Sequence, residues 1–262
     1  MKAKIKLFSL FTLVAALALA FPLSASATHS WGGYHWARTT NPFTLKLSDN
    51  VSSVWDPILA TTSSDWSKSI VLDTTIVVGQ ANPKNCRPTS GRVEVCNSTY
   101  GNTGWLGVAQ IWITGGLHIT QGTVKLNDTY FNTPTYNTTA WRNLVSCQEV
   151  GHTFGLAHQD ENFNNANLGT CMDYTNDPST NQHPNQHDYE ELEIIYSHLD
   201  STTTIGSALP GNSANGDLNA PSEWGTLVRT SVDGRASTYV RELAGGQLMV
   251  TFVIWADSEA GH

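Results

Sequence analysis

Hydrophobic and polar residues along the first half of the chain follow patterns that predict several strands and one early helix. The segment 43–47 alternates apolar and polar residues, which is typical of a half-buried strand. Apolar residues between Val51 and Trp66 recur close to helical spacing, and Pro57 is tolerated only in the first turn of such a helix or at a kink. Further runs rich in β-branched or aromatic residues predict strands at 70–78, 92–96, 108–113 and 119–126.

A second helix is predicted from Trp141 to Gly155. On a helical wheel its apolar residues share one face with Gln148 and His152, so these two polar side chains point inward and need partners. Gly155 predicts the end of this helix, since glycine can take the left-handed conformation that turns the chain sharply. A third helix is predicted at 187–198.

The chain changes character near residue 200. A stretch rich in Ser, Thr, Gly, Pro and Asn reaches Pro221 and predicts a linker or long loop. Two runs then flank Ala244-Gly245-Gly246, at 236–243 and 247–255, and predict a β-hairpin. We therefore expect a main domain at 28–200, followed by a linker and C-terminal β-hairpin extension at 201–262.

The N-terminus has the pattern of a secretory signal peptide at 1–27. Three lysines precede the apolar run Leu7 to Ala20, and Ala25-Ser26-Ala27 is a small-residue cleavage site. A run of 14 residues is too short to cross a bilayer. This pattern predicts a secreted, extracellular protein without a membrane span.

Composition and charge exclude several classes of protein. The chain is 40% hydrophobic and 14% charged, which is typical of a globular protein and not of a disordered or coiled-coil one. Removal of the signal peptide takes away three lysines and moves the formal net charge from −8 to −11. Binding to nucleic acid or to an anionic membrane by charge alone is therefore not expected.

The four cysteines allow three disulfide pairings in an oxidising compartment. We favour Cys86 with Cys96, which closes a short loop, and Cys147 with Cys171; free buried thiols are the alternative. No CxxC spacing occurs in the sequence, which argues against a zinc site made of cysteines.

The chemically informative segment is Gln148 to His158, which reads QEVGHTFGLAH. Residues four apart lie on one helix face, so Gln148 and His152 can reach one ion, Glu149 can reach its open side, and His158 can return after the turn at Gly155. Fourteen residues after His158, a turn carries Met172, followed two places later by Tyr174.

This pair of motifs resembles the metzincin zinc proteases, and the segment is especially similar to that of matrixin-like secreted bacterial proteases. The resemblance implies an α+β fold of the zincin type, with a twisted mixed β-sheet, an active-site helix and a C-terminal helix. It also implies that Met172 lies beneath the metal, that Tyr174 stabilises the reacting oxyanion, and that the strand Gly107 to Ile113 is an antiparallel edge strand that pairs with substrate. Nothing recognisable covers residues 201–262.

Position 148 departs from the family pattern, which has a histidine ligand there. An amide oxygen is a poorer zinc ligand than an imidazole nitrogen. Three interpretations stay open: Gln148 ligates through its carbonyl oxygen, another donor such as Asp160, His183 or His187 fills the position, or the site has lost its activity.

The predicted function is that of a secreted zinc endopeptidase acting on protein or peptide substrates as a monomer. His152, His158 and Gln148 would hold one catalytic Zn²⁺, and Glu149 would take the proton of the attacking water. The alternative is a catalytically inactive, metzincin-like binding protein. The run 160–167 is rich in oxygen donors and could hold a structural Ca²⁺, with a plain polar loop as the favoured alternative. No second zinc is expected, and no role is assigned to His29, His35, His118 or His198.

Overall fold

A computed structural model describes residues 28–207 and 218–257. The predicted signal peptide, part of the predicted linker and the last five residues lie outside these ranges. The strands are β1 (His35–Trp36), β2 (Phe43–Asn50), β3 (Leu72–Val78), β4 (Val93–Ser98), β5 (Trp105–Thr114), β6 (His118–Asn127), β7 (Thr226–Thr230), β8 (Ala236–Leu243) and β9 (Gln247–Trp255). The helices are α1 (Asp56–Trp66), α2 (Asp128–Phe131), α3 (Thr139–His152) and α4 (Gln186–Ile195).

All of these strands join one mixed sheet. Their order is β3-β2-β4-β6-β5-β9-β8-β7, and the short β1 also pairs with β6. The pairs among β2, β3, β4 and β6 are parallel, whereas β5, β7, β8 and β9 pair antiparallel with their neighbours. The predicted α+β class with a twisted mixed sheet is confirmed.

The elements follow the patterns that predicted them. Phe43, Leu45 and Leu47 are buried while the intervening residues of β2 are exposed. Helix α1 has Pro57 in its first turn, where a missing N–H costs nothing. The predicted hairpin is present as β8 and β9, joined at 244–246. Both favoured disulfides, Cys86–Cys96 and Cys147–Cys171, are formed.

Helix α3 is the buried element that carries the candidate site. Thr138 caps its N-terminus by accepting a hydrogen bond from the Trp141 amide at 3.2 Å. The helix ends at His152, and Gly155 has a φ of +97°. A Cβ at Gly155 would lie 2.0 Å from the backbone oxygen of Tyr34, so the turn requires glycine for both its conformation and its close approach.

The expectation that β5 is an edge strand is wrong. Strand β5 lies between β6 and β9, and Ala109 of β5 is directly opposite Phe252 of β9. The C-terminal hairpin therefore continues the main sheet and covers the backbone edge that the resemblance assigned to a substrate. An open edge strand leaves backbone N–H and C=O groups unpaired, and pairing with β9 satisfies them.

No helix within the described ranges is both long enough and apolar enough to cross a membrane.

Candidate metal and catalytic site

The side chain of Gln148 is held by one hydrogen bond that leaves its carbonyl oxygen unpaired among the described residues. Its Nε2 donates to the backbone oxygen of Cys171 at 2.9 Å, which fixes the amide orientation. The side chain is buried, and Oε1 has no hydrogen-bond partner among the described residues. A buried acceptor left unpaired costs stability, so its presence calls for an explanation such as a ligand.

His152 and His158 meet as predicted. Their ring centroids are 4.5 Å apart, because the turn at Gly155 returns the chain past the end of α3. His152 Nδ1 lies 2.9 Å from the backbone oxygen of Leu156, and since a carbonyl only accepts, Nδ1 carries the proton and Nε2 keeps its lone pair.

Both imidazoles are held in the neutral form that can ligate a metal. Burial lowers the pKa of His152 well below its usual range, and the neighbouring His158 lowers it further. Burial also lowers the pKa of His158, with smaller contributions from Arg229 and His29. Neutral imidazole is the metal-binding state of histidine.

Glu149 lies against β5. A Cβ added at Gly107 would be 2.8 Å from Glu149 Oε1 and 2.5 Å from a methyl carbon of Val145, so the carboxyl needs the space that Gly107 leaves open. Burial raises the pKa of Glu149 well above its usual range, and the Ala109 amide, which donates to the carboxylate, offsets part of that rise. Its Oε2 finds no partner within the described part of the chain.

The turn that carries Met172 packs directly on α3. A Cβ at Gly151 would lie 2.7 Å from Met172 Sδ, and the Cys147–Cys171 disulfide joins the helix to the residue before Met172. The Met172 carbonyl accepts from the amide of Gln159 at 2.7 Å. Met172 therefore packs against α3 at Gly151, and its predicted place beneath a metal stays a prediction.

Tyr174 lies beside His158. Their ring centroids are 4.0 Å apart, and the Phe163 ring also stacks on the tyrosine ring, with 4.6 Å between centroids. Burial raises the pKa of Tyr174 well above its usual range, so the phenol stays protonated and can act as a hydrogen-bond donor.

Strand β9 covers this group of residues. The Phe252 ring stacks on the His152 ring with centroids 4.3 Å apart and 8° between the planes. Gln148, Glu149 and His152 are each 1% exposed. In this conformation a peptide has no access to the candidate site.

The other donors considered for position 148 are engaged elsewhere. His183 Nδ1 lies 2.6 Å from Asp65 Oδ2, and the His187 ring packs edge-on against His29 with centroids 4.9 Å apart. Asp160 Oδ1 accepts from the Asn162 amide at 2.6 Å, as expected of a polar loop. Nothing in the structure supports the predicted Ca²⁺ in this loop.

A second group of potential ligands was not predicted from the sequence. His35, His118, His198 and Asp200 come together beside β1, and we call this group the Asp200 cluster. Ligand atoms of His35, His198 and Asp200 all lie within 4.8 Å of one another. Except for His198 and Asp200, these residues lie far from one another along the chain, so their sequence spacing did not indicate a shared site.

Comparisons with known proteins find distant similarities in structure. No family model matches the chain, and no curated protein matches it. One similar solved structure is High choriolytic enzyme 1, a hatching enzyme zinc-protease from Oryzias latipes (Medaka fish), at 10% identity and a TM-score of 0.33 over 64% of this chain and 96% of that one. Another is myroilysin, at 12% identity and a TM-score of 0.32 over 68% of this chain and 89% of that one. Likenesses this distant do not bear on which residues act.

Proposed function

We propose that the protein is a secreted zinc-dependent endopeptidase whose candidate site is closed by its own C-terminal strand. The observation that carries this proposal is the unpaired Oε1 of Gln148, one helical turn before His152 on the buried face of α3. The hydrogen bond to the Cys171 carbonyl orients the amide of Gln148. Gln148 Oε1 and His152 Nε2 are both acceptors, so they can share a cation but cannot hydrogen-bond to each other.

In this proposal His152, His158 and Gln148 hold Zn²⁺. When bound, zinc polarises a peptide carbonyl and makes a water molecule acidic near neutral pH. Glu149, the next residue after Gln148, would take up a proton from the attacking water and return it to the leaving amine. Its raised pKa suits a group that must both take and return a proton. Tyr174, whose ring lies beside His158, would donate a hydrogen bond from its hydroxyl to the developing oxyanion.

Access to the site requires β9 to leave β5. The catalytic unit is then residues 28–200, and the extension 201–262 controls access to it. An extended substrate would pair with β5 in the place that β9 occupies here. The full chain should therefore cleave slowly, and variants that loosen β9 should cleave faster.

A second candidate function is that of an inactive binding protein. Two observations favour it: a glutamine in place of an imidazole ligand, and the Phe252 ring seated on His152. It predicts that the extension stays paired with β5 and that no variant of β9 produces cleavage.

The test is cleavage of a denatured, fluorescently labelled protein by the mature chain after loading with Zn²⁺. We expect slow cleavage by the wild type, faster cleavage by Phe252→Ala, and none by either chain when Glu149→Gln is added. Loss of activity with a chelator and its recovery with Zn²⁺ would show that the cleavage requires zinc. Absence of cleavage by a folded, zinc-loaded Phe252→Ala variant would overturn the proposal in favour of the binding protein.

A further inference from the structure

The Asp200 cluster has the shape of a metal site. Nε2 of His35, His118 and His198 lie 3.5, 3.2 and 3.7 Å from the same oxygen, Oδ1 of Asp200. Nε2 of His35 and Nε2 of His198 are 3.2 Å apart. Three candidate ligand atoms, from His35, His198 and Asp200, thus lie within 4.8 Å of one another, and His118 adds a contact with Asp200 Oδ1.

The distances from His35 and His198 to Asp200 suit ligands around a cation better than hydrogen bonds, whereas the 3.2 Å contact of His118 with Oδ1 is within hydrogen-bond range. Zinc binds nitrogen and oxygen at about 2.0 to 2.2 Å in a tetrahedron, whose ligand atoms are then about 3.3 to 3.6 Å apart. N–H···O hydrogen bonds instead lie at about 2.7 to 3.2 Å. The contacts of His35 and His198 with Oδ1, at 3.5 and 3.7 Å, exceed the hydrogen-bond range and lie close to tetrahedral edges.

The surrounding residues orient the ligand atoms. His35 Nδ1 donates to the backbone oxygen of Gly33 at 2.8 Å, which directs Nε2 toward the cluster. Arg38 occupies the other carboxylate oxygen: its Nη1 and its backbone amide lie 3.0 and 3.1 Å from Asp200 Oδ2. Arg38 therefore leaves Oδ1 to the three imidazoles, as an outer-shell partner does for a ligating carboxylate.

We propose that the Asp200 cluster binds a divalent transition-metal ion, with Zn²⁺ the best match to a set of imidazoles and one carboxylate. His35, His198 and Asp200 are the ligands, and His118, 3.2 Å from Asp200 Oδ1, hydrogen-bonds to that carboxylate. This differs from the sequence-based expectation of a single zinc. The proposal does not depend on the peptidase function, since it uses none of the residues around His152.

The ion would have a structural role. It would join β1, the start of β6 and the segment that follows α4. Next to His35, Trp36 Nε1 donates to the backbone oxygen of Thr153 at 2.9 Å, and Tyr196, close to His198, donates its hydroxyl proton to the oxygen of Phe154 at the same distance. An ion in the Asp200 cluster would therefore stiffen the elements that hold the turn after α3.

The test measures metal binding by the folded mature chain after removal of metal, titrated with Zn²⁺ alone and monitored by calorimetry and native mass spectrometry. The informative variant is His198→Ala. The control is His183→Ala. Like His198, His183 contacts the carboxylate of a largely buried aspartate, and the His198 and His183 side chains are 51% and 52% exposed. Both variants are also made in a His152→Ala background, which removes a candidate catalytic ligand.

We expect His198→Ala to weaken one zinc-binding event at least tenfold in both backgrounds, and His183→Ala to leave it unchanged. The rise in Tm on adding Zn²⁺ should shrink in His198→Ala and in Asp200→Asn. In the His152→Ala background, with Co²⁺ as a spectroscopic probe, the visible bands should report nitrogen and oxygen ligands and disappear when His198→Ala is added. Equal zinc stoichiometry and affinity in wild type and His198→Ala would overturn the proposal, as would failure of the folded His152→Ala chain to bind Zn²⁺.

Discussion

The Phe252 ring lies flat against the His152 ring, with 4.3 Å between the centroids. This contact joins the last strand of the sheet to the helix that carries the candidate ligands. Ala109, directly opposite Phe252 in β5, also donates its amide proton to Glu149, so the same part of β5 contacts both the covering strand and the proposed base. We therefore expect a change in the pairing of β9 with β5 to alter the surroundings of Glu149.

Replacement of Phe252 should expose His152. We expect Phe252→Ala to lower the free energy of unfolding by about 3 to 5 kcal/mol and to speed modification of His152 by diethyl pyrocarbonate, measured by peptide mapping. Phe252→Leu keeps more of the buried volume, so we expect a smaller loss of unfolding free energy and a smaller increase in the rate of His152 modification. Val253→Ala is the control, because Val253 packs on the other face of the sheet with Trp105 and Trp224. Equal His152 modification in Phe252→Ala and Val253→Ala would contradict the prediction.

Gln148 should limit zinc affinity. We expect Gln148→His, which supplies an imidazole nitrogen, to bind Zn²⁺ more tightly than the wild type, and Gln148→Ala to bind it more weakly. Competition with a chromophoric chelator measures both affinities. The series is made in the His198→Ala background so that the Asp200 cluster does not contribute. If Gln148→Ala matches its parent in zinc affinity, Gln148 is not a ligand.

Gly155 should tolerate no side chain. We expect Gly155→Ala to cost more than about 2 kcal/mol, because it adds a contact with the Tyr34 oxygen to the strain of a positive φ. Gly169→Ala is the matched control: its φ is +74° but a Cβ there meets nothing within 4 Å, so it should cost only the backbone term of about 1 kcal/mol. Denaturant unfolding measures both, and equal losses would show that the Tyr34 contact is unimportant.

His29 should make the protein less stable in acid. Burial, and then the charge of His187, lower the pKa of His29 to about 4, whereas an unfolded histidine titrates near 6.5. Between these values the unfolded chain binds more protons, so stability falls as the pH drops from 6.5 toward 4. His29→Gln removes the titration, and over this range its Tm should fall less than that of the wild type. Parallel Tm curves for the two proteins would contradict this assignment.

The sequence by itself determined the local structure and the local chemistry. Periodicity predicted the helices and strands, because burial of one face imposes a repeat on the chain. The spacing from Gln148 to His158 predicted two imidazoles brought together by a turn at Gly155, because a helix and one left-handed residue set that geometry within eleven residues. The two favoured disulfide pairings, Cys86–Cys96 and Cys147–Cys171, are both present in the structure.

The tertiary structure alone decided what covers the site and what lies beside β1. Strand pairing is non-local, and a run such as Gln247 to Trp255 carries no mark of its partner, so nothing in the sequence indicated that β9 pairs with β5, which the resemblance had implied to be an edge strand. The convergence of His35, His118 and Asp200 depends on parallel pairing of β1 with β6 and on the chain's path after α4. Residues so far apart meet only once the sheet has formed, and their separation along the chain shows no period that could reveal it.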